Sequence, residues 1–248
     1  MKNPNCCRWL ARATLWALAL SLPLPSLAQE RAASLQVAVP RSVAPPFVFW
    51  RDNLPVGGID LEIARAVAAQ LMTGVEFQPQ PRLRIEAALS SGEADMACNL
   101  SPLNQPRSEG LPLGPVLFDV QEMLTGHAGA GSVDAVDQLP AGILVGTLQG
   151  QSYAALEPLF ANGKLKRDDA LDDERMLRKL VLNRHPYGIS NRQSLGWFAS
   201  QDEAYKLASW RLPVGNRSYR CTISPRGRFE PRQISAALEQ LQTSGRIE

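Results

Sequence analysis

The chain has 248 residues, of which 45% are hydrophobic and 20% charged, a balance that excludes a disordered chain. Its 19 Pro and 18 Gly are scattered along the sequence, which excludes collagen and low-complexity tracts. The formal charge of +2 is too small for a nucleic-acid binder, which is normally basic.

In chain order, residues 1–28 come first, with Lys2, Arg8 and Arg12 ahead of an apolar run over 14–24. Pro25-Ser26-Leu27-Ala28 follows, with small residues at −3 and −1 of a cut after Ala28. That is the pattern of a secretory signal peptide, and its apolar run is too short to span a bilayer. Cleavage places the protein in the periplasm. It leaves 220 residues with 23 bases against 24 acids, a net charge of −1, so the case against nucleic acid strengthens. No later segment is long enough to cross a membrane. Cys6 and Cys7 leave with the signal, and Cys98 and Cys221 remain. An even pair in an oxidising compartment suggests one disulfide.

Residues 34–40 (SLQVAVP) alternate and are rich in β-branched side chains, so they read as a strand. A loop runs from Pro45 to Gly58. Over 59–71 the residues Ile59, Ile63, Val67 and Leu71 are spaced four apart, which predicts an amphipathic helix. A strand over 75–77, a helix over 83–89 and a strand over 94–100 follow. Strand, helix, strand, helix, strand is a parallel α/β pattern, and it recurs. A strand over 142–147 leads through Gly150 into a helix over 151–160. A strand over 165–167, a helix over 172–182 and a strand over 187–190 come next. A helix starts at Asn191, a strand covers 217–224 and a helix over 230–242 closes the chain. The segments 126–131 and 212–215 are the expected bends between two α/β lobes.

Gly58-Ile59-Asp60-Leu61-Glu62-Ile63, followed by Val67, Ala68 and Leu71, resembles the signature of the type II periplasmic solute-binding proteins, family 3. These are the amino-acid-type receptors of ABC transporters. Asp95 opening the third strand, with Arg107 twelve residues later, resembles a second family pattern. Val145-Gly146 through Gly150 and the helix over 234–245 are weaker matches. The resemblance implies a two-lobed α/β fold with the ligand cleft between the lobes. Lobe 1 would comprise 29–120 and 216–248, and lobe 2 would comprise 121–215. It also places Cys98 and Cys221 on neighbouring strands as a disulfide pair. The signature helix itself reads as a packing element, with Asp60 and Glu62 in its first turn where carboxylates favour the helix dipole.

By the same resemblance, Arg107 falls at the position that binds a ligand carboxylate, in the bidentate fork that suits guanidinium. Asn191 stands where the family has an Asp for the ligand ammonium. A neutral amide does not neutralise a cation, and Asn also caps helices well. Pro102 replaces a Ser or Thr, leaving Ser101 as the nearest hydroxyl, and Ala44 replaces an aromatic clamp. Phe47 and Trp50 are the nearby aromatics available to the cleft. Gly150 and Ser152 open a helix whose free N–H groups favour an anion.

His127 and His185 show no metal-ligand spacing, and neither a nucleophile elbow nor a phosphate loop occurs. No metal, cofactor or catalytic group is expected. The expected function is that of a monomeric receptor for an amino acid or related acid, served by an ABC permease. The alternatives are a transporter-independent periplasmic protein that feeds a membrane sensor or acts as an accessory factor, and a periplasmic dehydratase of the same fold.

Overall fold

A computed structural model describes residues 34–100, 110–201 and 206–245. The signal-like segment, Ser101 and Arg107 lie outside the described residues. β1 (Leu35–Pro40) is buried along its whole length. It has a parallel neighbour on each side, β4 (Val75–Gln80) and β5 (Met96–Cys98). β11 (Cys221–Ile223) completes the sheet antiparallel to β5. Parallel strands need cover on both faces. Leu35, Val37 and Val39 point to one face, where α1 (Ile59–Gln70) and α6 (Pro231–Thr243) supply Leu61, Val67, Ile234 and Leu238. Ala38 and Ala97 face α2 (Arg82–Ser91) and its Ile85 and Leu89.

The register pairs Cys221 with Cys98 directly across the antiparallel ladder, and the two residues form a disulfide. Asp95, fully buried, ties the same region together. Its Oδ2 accepts from the Gln36 amide at 2.7 Å, and its Oδ1 accepts from the Arg228 amide. Gly58 enters α1 at φ 109°, and a Cβ there would lie 2.4 Å from the Phe47 carbonyl oxygen. Only glycine fits that close approach.

Within the expected loop over 45–58, β2 (Phe49–Arg51) and β3 (Leu54–Gly57) form a small hairpin. Its turn places Asp52 and Asn53 at φ 50° and 62°, a conformation these short polar residues tolerate.

The second sheet has the order β10-β6-β9-β7-β8. β6 (Phe118–Gly126) pairs antiparallel with β9 (Tyr187–Asn191) and β10 (Leu212–Tyr219). β7 (Leu144–Leu148) lies parallel to β9 and to β8 (Lys166–Ala170). α4 (Asp173–Val181) and α5 (Arg192–Gln201) supply Met176, Leu180, Leu195 and Phe198 to one core. The opposite face packs on Tyr153, Leu156 and Leu165.

Three expectations are corrected. The sequence reading contains no strand over 118–126; β6 lies there, its alternation blurred because Glu122 is a buried acid inside it. The strand expected over 217–224 is divided, because β10 belongs to the second sheet and β11 to the first. The chain therefore crosses between sheets near Leu117 and near Arg220, not at 126–131 and 212–215. Finally, the helix expected from Gln151 begins only at Glu157, as the short α3 (Glu157–Ala161). The Tyr153 hydroxyl accepts from the Leu148 amide at 3.1 Å, and Arg167 donates to the carbonyls of Leu148 and Gln151. These contacts hold 148–153 in an irregular path.

Candidate functional site

Where β6 begins and β10 ends, next to the crossings between the sheets, three rings stack. Phe118 and Tyr219 have centroids 4.3 Å apart, and Phe47 lies 5.7 Å from Tyr219. Phe47 is thus committed to packing, fully buried, while also lining one wall of a small internal cavity. Asp60, in the first turn of α1, is buried and sits below this stack. Its Oδ1 accepts from the Tyr219 hydroxyl at 2.5 Å, and its Oδ2 has no hydrogen-bond partner among the described residues. Burial pushes its pKa up to about 7.

The small cavity lies between the two sheets and has a volume of about 20 Å³. Its walls carry more charge than packing requires. Arg82 comes from the first turn of α2, Glu122 from β6, Asp173 from the first turn of α4 and Arg217 from β10. All four are buried. Arg217 donates to Asn99 Oδ1, and its Nε lies 3.6 Å from Glu122 Oε1, outside hydrogen-bonding reach. Glu122 Oε1 accepts from Gln151 at 3.2 Å. Asp173 Oδ1 accepts from the Ser190 hydroxyl at 2.6 Å, and burial pushes its carboxyl up to about 6. Arg82 Nε donates to Ser42 Oγ at 3.1 Å. Burial, then the nearby Arg217 charge, pulls the Arg82 guanidinium down to about 10. Buried ionisable groups clustered in a cleft mark functional sites more often than structural ones.

A second cavity of about 580 Å³ lies against the first, and the two share Ser42, Val43, Ala44 and Arg82 as walls. Trp50 lines this larger space, and its Nε1 donates to the Val43 carbonyl at 2.8 Å. Asp172 also lines it while capping α4, accepting from the Arg175 amide at 2.7 Å. The two halves of the molecule meet at the cleft. Ala44 packs among Met123, Leu148 and Leu177, Phe49 meets Trp197 edge-on at 5.9 Å, and a Cβ on Gly150 would lie 2.7 Å from Leu83.

Of the sequence-derived candidates, Asn191 and Phe47 line the small cavity, and Trp50 lines the large one. Asn191 also caps α5. Its Oδ1 accepts from the Ser194 amide at 2.8 Å and its Nδ2 donates to Ser194 Oγ at 3.0 Å. Gly150 holds φ 74° beside the cleft. Ser152 lines neither cavity and begins no helix. Arg82, Glu122, Asp173 and Arg217 are absent from the sequence-derived set. Arg82 and Asp173 begin helices that both point at the cleft, a signal present in the helix boundaries. Glu122 and Arg217 are brought together only by pairing of β6 with β10.

The sequence pattern that describes bacterial extracellular solute-binding proteins, family 3, matches residues 35–248. An ancestral arginine-binding protein, solved with arginine bound, is 20% identical, with a TM-score of 0.72 over 87% of this chain and 95% of that one. A histidine kinase sensor domain similar to periplasmic binding proteins is 19% identical, with a TM-score of 0.70 over 88% of this chain and 93% of that one. Among curated proteins, the membrane-bound lytic murein transglycosylase F of Maricaulis maris is 28% identical over 158 residues, 58% of this chain. The match covers 34% of that relative, so the chain spans about a third of its length.

Proposed function

The chain belongs to the bacterial extracellular solute-binding proteins, family 3, and from that premise we propose that it is a periplasmic receptor for a small carboxylate-bearing ligand. In this reading the signal peptide is removed after Ala28, the mature chain is a monomer, and the ligand is passed to an ABC permease without being chemically altered. Lobe 1 comprises 29–117 and 220–248 and lobe 2 the residues between, each boundary a few residues from the expected 120 and 216. Arg107 holds the carboxylate. Asn191, Ser101, Phe47, Trp50 and Gly150 are the remaining contacts the reading keeps, while Ser152, which lines neither cavity, is left out. Ligand binding between two lobes stabilises their closed arrangement.

One observation carries the reading. Four charged side chains, Arg82, Glu122, Asp173 and Arg217, are buried around a cavity between the two sheets. Burying charge is costly unless it is paired and hydrogen-bonded, and a hydrophobic seam would serve packing better. Such a cluster is retained for a polar ligand. Asn191 bears on the ligand's class, since its amide is occupied with Ser194 and carries no charge to meet an ammonium.

A thermal-shift screen of the exported protein tests the proposal. The panel holds amino acids, amine-free carboxylates and aromatic acids, with Arg107→Ala in parallel. A ligand at 100 times its Kd adds about 2.7 kcal/mol, which raises Tm by about 5–10 °C for a chain of this size. Stabilisation by a carboxylate, lost in Arg107→Ala, is the expected result. Equal stabilisation of both proteins would remove Arg107 from the site, and no stabilisation by any carboxylate would overturn the receptor reading. Co-purification of a histidine kinase instead of a permease would move the protein to the sensory class.

A further inference from the structure

Building on that receptor reading, we propose that the body of the ligand lies in the large outer cavity, and that the ligand is a carboxylate bearing an aryl or other apolar group, not a free α-amino acid. Space decides first. The inner cavity of about 20 Å³ holds about one water molecule. The outer one, about 580 Å³, falls in the range of small-molecule sites. Arg82 lines both, buried and held by Ser42, so its side chain takes up room between the sheets that a compact amino acid would need.

The carboxylate is taken from the receptor reading, and the lining offers it a partner. The outer cavity is lined by four arginines and three carboxylates. Arg175 pairs with Asp172 at 3.2 Å and Arg178 with Glu174 at 2.7 Å. Arg41 and Arg82 form no ion pair among the described residues; Arg41 donates only to the Asn53 carbonyl, at 3.5 Å. Asp52 is the single lining acid with no ion pair among the described residues. The Asp173 and Asp60 carboxyls bear on Arg82 from the inner side, so the guanidinium that the outer cavity offers to an anion is the exposed Arg41. The first turn of α2, at Pro81-Arg82-Leu83 on the same wall, carries no acidic residue and no side-chain cap.

The remaining lining decides the body. Leu83 and Leu171 are 56% and 59% exposed, and both open onto this cavity from opposite sides. Trp50 presents its ring to the same space. Large apolar side chains left in water around a concave surface gain by covering themselves with an apolar ligand.

Calorimetry on the full exported chain tests this with phenylacetate as probe, beside acetate and L-alanine. The variants are Arg41→Gln and Leu171→Asp, both at exposed positions where substitution leaves the fold intact. Phenylacetate binding at least tenfold tighter than acetate or L-alanine, and weakened about tenfold by each variant, is the expected result. L-Alanine binding tighter than phenylacetate would overturn the inference and leave the receptor reading standing. So would binding that survives both outer-cavity variants but is lost in Arg107→Ala. No binding of any carboxylate would overturn both.

Discussion

Asp60 offers the sharpest test of the energetics. The residue is 4% exposed, and one of its carboxyl oxygens has no hydrogen-bond partner among the described residues. Burial raises its pKa from 3.8 to about 7. In the unfolded chain the group ionises near pH 4, whereas in the folded protein it keeps its proton until about pH 7. Between those limits the folded state binds more protons, so stability falls as pH rises. A separation of about three units at about 1.4 kcal/mol per unit makes the loss about 4 kcal/mol once the group is fully ionised. Asp60→Asn removes this dependence. It also carries a constant cost of about 1–3 kcal/mol for the amide left without an acceptor.

Other groups titrate in the same window. Asp173, raised to about 6 by burial, acts with the same sign. His185, lowered by burial, acts with the opposite sign below its ordinary value, and Asp168, lowered by its bonds from Lys179 and His185 against the opposing effect of burial, favours folding above acid pH. The difference between wild type and variant isolates Asp60. Urea unfolding at about pH 4.5, 6 and 8 should find the variant gaining on the wild type by about 3–4 kcal/mol across that range. Parallel stability–pH curves for the two proteins would refute the burial argument.

Two further predictions concern the frame around the cleft. The Cys98–Cys221 bridge closes a loop with a sequence separation of 123, so Cys98→Ala with Cys221→Ala should cost about 2–5 kcal/mol; native protein alkylated without reductant should gain no adduct, and a mass increase of two adducts would sink the bridge. Gly150→Ala meets Leu83 at 2.7 Å and needs φ 74°, so it should destabilise by about 1–3 kcal/mol; a second change, Leu83→Ala, should recover only the steric part, and simple additivity of the two in urea melts would show that the cleft is not closed at that point.

Much of the fold was legible because its elements are locally coded. The spacing of Ile59, Ile63 and Val67 specifies α1, observed as Ile59–Gln70. The chain-closing helix is similarly clear, observed as Pro231–Thr243 with a capping box between Glu230 and Gln233. β6 escaped notice because a strand carrying a buried acid loses the apolar alternation that reveals strands. The short α3 escaped because Arg167 and Tyr153, not local propensity, organise the chain ahead of it.

The candidate site divides in the same way. Phe47, Trp50 and Asn191 could be nominated from their places in the motif order, and the structure sets them on cavity walls. Arg82, Glu122, Asp173 and Arg217 stand 40 or more residues apart, and nothing in their neighbours marks them as a group. Periodicity and turn chemistry, which act over a few residues, determined from sequence alone that this is a parallel α/β chain whose first helix is entered through a glycine. Which buried charges face one another, and how little room they leave between the sheets, depended on the pairing of β6 with β10 and on the approach of Leu83 to Gly150. Those are contacts between distant segments, and only the packed chain brings them together.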